Sequence, residues 1–238
     1  MNPGDRYTYV HPGDTISAHW DGTIAAKFFG LSDPAVQKKL LLGFLQFSDA
    51  GGYETSMTGF PDRLFSNDLP NGDVNFLVME LPDQDMKKLV DGTGAGLPVF
   101  QNFAPDAVVR DIVSNPVASV YPGCAFRWKT TNAGVIQGFA LAFSDDLSPQ
   151  AKYSCKNDFL TRGFGIFSLA TKYKMNPNVP GSGKGYEISL SDRSEIVLAL
   201  SALRVCRQNV PDFDGECPYF VVNKILEYHG QLSWQSGE

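Results

Sequence analysis

The chain lacks most of the features by which a sequence usually declares its chemistry. Lysine and arginine nowhere form a run longer than a pair, and the formal net charge is -6 with a pI of about 5.1. A nucleic-acid backbone is therefore an unsuitable partner, and an anionic membrane surface is disfavoured for the same reason. No apolar stretch reaches the roughly 18 residues that a membrane span needs. No two of the cysteines have the C-x-x-C spacing of a zinc or redox pair. The G-x-S-x-G turn of a serine hydrolase is missing. The start, Met1-Asn2-Pro3-Gly4-Asp5, has neither a basic segment nor an apolar one, so it does not read as a secretory leader. It suits a mature fragment with an added Met, or a cytosolic protein.

What is present suits a packed globular fold. The 238 residues are 43% hydrophobic and 12% aromatic, enough for one large domain or two small ones. No repeat and no low-complexity segment interrupts them. The four cysteines are Cys124, Cys155, Cys206 and Cys217. Cys206 closes one helical stretch and Cys217 opens the next, across a turn-rich loop, which suits a staple on a helical hairpin. The expected bridges are Cys206–Cys217 and Cys124–Cys155, out of three possible connectivities, with four buried free thiols as the alternative. Each bridge would contribute about 3–4 kcal/mol on a loop-entropy model. Disulfides imply an oxidising compartment, periplasmic or secreted.

The elements follow from periodicity and punctuation. Strands are expected at Arg6–Val10, Asp14–Trp20 and Thr23–Phe29, the last two split by a turn or bulge at Asp21-Gly22. A helix follows, capped by Ser32 or Asp33, with Pro34 in its first turn. Val36, Leu40, Leu41, Phe44 and Leu45 lie at helical spacing, and Gly51-Gly52 ends it. Asp73–Leu81 reads as a strand. Gln84–Val90 and Pro105–Ser114 read as short helices, with a surface loop at Asp91–Pro98. Gly123–Thr131 and Gly134–Phe143 are strands, the second apolar enough to be central. Ser148–Gly163 is a helix with Pro149 in its first turn, and Gly185–Leu190 is extended. Ser191 caps a long helix whose apolar face is Ile196, Val197, Leu200 and Leu203. A last helix runs from Cys217-Pro218 to His229. The whole reads as an α+β fold, a mixed sheet with packed helices. Residues 1–13 form an extension and 14–238 a single domain.

Three segments carry a resemblance. They are Ile16–Gly30 (ISAHWDGTIAAKFFG), Ile136–Gly165 (IQGFALAFSDDLSPQAKYSCKNDFLTRGFG) and Leu190–Arg204 (LSDRSEIVLALSALR). Together they resemble the zincin-like metallopeptidase superfamily, and within it a bacterial extracytoplasmic family of unknown function. On that resemblance the first is an opening strand pair, the second an edge strand followed by the active-site helix, and the third the next helix. A working zincin carries His-Glu-x-x-His on that helix, two zinc ligands on one face and a general base. Here the matching turn has Asp158 at the first ligand position, Phe159 at the base and Arg162 at the second ligand. A guanidinium is always protonated and offers no lone pair, and a phenyl ring takes no proton. The zinc site is expected to be absent, and no metal or cofactor is expected. Asp158 and Arg162, at i and i+4, suit a salt bridge.

Other constellations have plainer readings. His11 and His19 suit surface or edge-strand positions, and His229 suits a helix C-terminus. Gly181-Ser182-Gly183-Lys184-Gly185 departs from the phosphate-loop pattern and reads as a flexible turn. Asp212-Phe213-Asp214-Gly215-Glu216 reads as a solvated loop, with calcium the lesser alternative. Asp145-Asp146 suit a helix-capping role, although with Asp158 they could form a carboxylate site. Phe139, Phe143, Phe159, Phe164 and Phe167 read as core. The functional expectation is a non-catalytic extracytoplasmic binding or assembly module for a protein or peptide partner. The alternatives are a hydrolase with an unconventional carboxylate site and a structural subunit of a secreted or virion assembly.

Overall fold

In the computed structural model the described residues are 18–56, 74–97, 107–114, 119–121, 123–131, 135–165, 168–171, 186–189 and 193–209, with 221, 224, 225, 227 and 228. The expected strand at Arg6–Val10, His11, the glycine-rich turn 181–185, the loop 212–216, Cys217 and His229 lie outside them.

The strands are β1 (His19–Trp20), β2 (Ile24–Phe29), β3 (Thr55–Ser56), β4 (Phe76–Leu81), β5 (Ser119–Tyr121), β6 (Cys124–Thr130) and β7 (Val135–Ser144). They form one seven-stranded sheet in the order β3-β2-β4-β7-β6-β5, with β1 also against β7. Strands β1, β2, β3, β4 and β7 pair in parallel, whereas β6 runs antiparallel to β7 and to β5. A separate two-stranded ribbon joins β8 (Ser168–Thr171) to β9 (Tyr186–Ser189). The helices are α1 (Pro34–Gly51), α2 (Asp83–Val90), α3 (Ala107–Val113), α4 (Pro149–Gly163) and α5 (Arg193–Asn209).

A mixed sheet with packed helices is thus present. Its central strands are covered on both faces, which is why FLVMEL of β4 and much of VIQGFALAFS of β7 are nearly continuous apolar runs. Alternation sorts their side chains into two cores. On one face Phe28, Phe76, Val78, Phe139, Leu141 and Phe143 meet Leu40 and Phe44 of α1, Cys155 of α4 and Leu200 and Leu203 of α5. On the other, Leu77, Met79, Ala140 and Ala142 meet Met86 of α2 and Val109 and Ile112 of α3. Small residues of β7 let α3 approach closely: a Cβ at Gly138 would stand 2.7 Å from Val108.

Local signals explain the boundaries. Asp33 caps α1 by accepting the Ala35 N–H at 2.8 Å, and Gly52 ends it in the left-handed region at φ 66°. The Ser148 hydroxyl accepts from Ala151 N–H at the start of α4, so the capping role expected of Asp145-Asp146 falls to Ser148.

Several expectations need correction. Asp21-Gly22 does not turn a hairpin. Strands β1 and β2 do not pair with each other: β1 runs parallel to β7, whereas β2 runs parallel to β3 and β4, so the dipeptide joins two short segments with different partners. The segment expected as a zincin edge strand is interior, since β7 is paired along both edges. His19 is half-buried, with its Nδ1 sealed from solvent, in the short strand β1, which among the described residues pairs with β7 alone. Of the two expected disulfides, Cys124–Cys155 is present among the described residues. Cys206, buried in α5, is also disulfide-bonded, and its expected partner Cys217 falls outside them.

The Cys124–Cys155 bridge spans 31 residues with its Cα atoms 6.2 Å apart, and ties α4 to β6. Replacing both cysteines by serine should lower unfolding free energy by about 3–4 kcal/mol. Denaturant unfolding with and without reductant checks this; equal stability of the variant and the oxidised protein would refute it.

Candidate functional site

Open sheets with parallel strands place ligands beyond the carboxyl ends of those strands. Here the carboxyl ends of β2, β4 and β7 carry an ionic cluster on the face covered by α1 and α4. Glu80 is the one charged residue of β4 and shares the parity of Phe76 and Val78. Gly30 follows β2 at φ 74°, where a Cβ would overlap the Glu80 carbonyl oxygen. Only glycine lets the two strand ends come so close.

Two lysines one helical turn apart on α4 reach over this edge. Lys152 donates to Glu80 Oε1 at 2.6 Å, with both side chains mostly buried. Lys156 is 5% exposed, and its ammonium lies 4.9 Å from the centre of the Phe143 ring. Cys155 beside it is covalently fixed to β6, so the backbone cannot swing Lys156 out to solvent. Burial lowers the Lys156 pKa to about 8, with Glu80 opposing the shift, Lys152 adding to it, Asp33 opposing and Lys39 adding. Asp33 and Lys39 of α1 are exposed at the rim.

A second polar group lies around Trp20. Its indole N–H donates to the Gly163 carbonyl at 2.8 Å, at the end of α4. Arg207 of α5 donates to the Trp20 carbonyl at 3.2 Å and lies 5.6 Å from the Tyr53 ring. Burial raises the Tyr53 pKa, which Arg207 counteracts. Burial, then Arg207, lowers the His19 pKa, while Asp21 raises it. These groups join the beginning of the sheet to α4 and α5.

The zincin-type positions fare differently. Asp158 and Phe159 are in α4, but their side chains lie outside the described residues, so the expected Asp158–Arg162 pair does too. Arg162 turns inward: it is 7% exposed and its guanidinium lies 4.6 Å from the Phe126 ring centre. Asp145 and Asp146 are exposed in the turn after β7. Phe139, Phe143 and Phe164 are core, as expected. No group of three His, Cys, Asp or Glu side chains that could hold a metal occurs among the described residues.

Glu80, Lys152 and Lys156 escaped sequence reasoning. The available signals were a lone acid inside an apolar strand and two lysines four apart behind the Ser148 cap. Comparison with protein-family models, curated proteins and solved structures found no match.

The cluster makes two predictions. Lys156 has a folded-state pKa below its unfolded value of 10.5, so its burial penalty is full below about pH 8 and is relieved as pH rises toward 10.5. Lys156→Met should therefore be more stable than wild type at pH 7, by about 1–3 kcal/mol, with the gap closing across that window. Urea unfolding of both proteins across pH 7 to 10.5 tests this, and a pH-independent gap would contradict it. Glu80→Gln, which leaves the Lys152 ammonium without its carboxylate, should cost on the order of 2–4 kcal/mol by the same assay.

Proposed function

We propose that the chain is a non-catalytic extracytoplasmic binding module, related to the zincin-like layout but without its zinc site. The observation that carries this reading is the buried Arg162. At the place on α4 where a second zinc ligand would stand, this chain has a permanent cation packed on the Phe126 ring. Such a residue serves packing and repels a metal ion. The relation to zincins rests on the three sequence segments and on the long helix α4 directly following β7.

The extracytoplasmic assignment rests on the Cys124–Cys155 disulfide, which persists in oxidising compartments. No helix among the described residues is long and apolar enough to cross a membrane. A binding role fits the ionic cluster, which places charge in a semi-enclosed position at the carboxyl edge of the sheet at a cost in stability.

Metal analysis of the purified protein, together with a peptide-cleavage assay with and without chelator, tests the reading. The expected result is substoichiometric zinc and no chelator-sensitive cleavage. Stoichiometric zinc at the 158–162 turn with cleavage that chelation abolishes would overturn it.

A further inference from the structure

Lys156 is nine-tenths buried, yet its ammonium meets no oxygen acceptor among the described residues, only the face of Phe143. Its nitrogen is not among the partnerless side-chain atoms sealed from solvent, so it keeps an opening. Four residues earlier, Lys152 is held on Glu80. A buried ammonium strongly favours an anionic hydrogen-bond acceptor, and its position at the carboxyl end of parallel strands is where such folds receive ligands. The aromatic face beneath supplies part of the missing stabilisation but no hydrogen bond.

We propose that Lys156, flanked by the Lys152–Glu80 ion pair at the carboxyl ends of β4 and β7, binds the carboxylate of a ligand entering past the Asp33–Lys39 rim. Lys152 is already paired with Glu80, so one ammonium, that of Lys156, is left to receive the ligand, which suits a single negative charge better than a doubly charged one. The carboxylate can belong to a small organic acid or to the C-terminus of a peptide. The inference rests on the binding reading above and fails separately from it: zinc-dependent cleavage would sink that reading, whereas loss of carboxylate selectivity sinks only this one.

Binding has a pH signature. A bound carboxylate favours the charged ammonium, so affinity falls as pH rises past the free-state titration of Lys156 near 8.

The test is calorimetric titration of the intact oxidised protein with four probes. These are acetate, a tripeptide with a free C-terminus, the same tripeptide amidated, and inorganic phosphate. Binding by acetate marks a small-acid site, and binding by the free tripeptide alone marks a peptide terminus; either supports the proposal when the amide is at least about tenfold weaker. Lys156→Met, which is expected to fold with added stability, should weaken the carboxylate probe about tenfold or more. Lys88→Met, which removes an exposed lysine of α2, the helix packed on the opposite face of the sheet, should leave it unchanged. Equal binding of acid and amide, binding by phosphate alone, no binding by any probe, or full affinity in Lys156→Met would overturn the proposal.

Discussion

Everything notable about the ionic edge depends on α4 being held at two points. The Cys124–Cys155 bridge fixes its middle to β6, and the Trp20 indole N–H fixes its last carbonyls through Gly163. A lysine on an unrestrained surface helix would extend its four-carbon stem into water. Lys156 follows a covalently anchored residue, so its backbone cannot rotate outward, and its stem runs over Phe143. Arg162, near the second anchor, is held inward in the same way against Phe126. Two cations thus end up buried because the helix that bears them is tied down.

The sheet divides the molecule into unlike halves. One face is rich in phenylalanine, where Phe44, Phe76, Phe139 and Phe164 pack ring against ring at centroid separations of 4.9 to 5.6 Å. The other is lined by Ala140, Ala142 and Gly138 of β7, so α3 sits close to the backbone. Buried charge occurs on both sides. Glu80 and Lys156 lie on the aromatic side, while Lys27, 2% exposed, has the strand parity of the opposite face. Aromatic faces tolerate a nearby cation better than aliphatic ones do, which is consistent with where the lysine of α4 has settled.

Much of the architecture was legible in the chain. Pro34 behind Asp33, and Gly51-Gly52 at the far end, delimit α1 because capping chemistry is local. Ser148-Pro149 and Gly163 did the same for α4. Asp21-Gly22 misled, because a turn dipeptide reports a change of direction without saying what the flanking segments pair with. The short strands β3 and β5 carried no detectable signal, since two or three residues are below one period of any pattern. The proximity of Arg207 to His19 was invisible because the two residues lie far apart along the chain.

The sequence by itself determined the helices and the longer strands, the apolar runs of the central strands and the absence of a zinc-binding triad on α4, since each depends on residues a few positions apart. It also selected Cys124–Cys155 and Cys206–Cys217 from the three possible cysteine connectivities. Only the tertiary structure decided which strands flank β7, how close α4 stands to β6, and that Glu80 of β4 faces two lysines of α4. Those outcomes depend on contacts between segments some 30 to 70 residues apart, where which groups meet, and whether water is excluded from them, is set by packing.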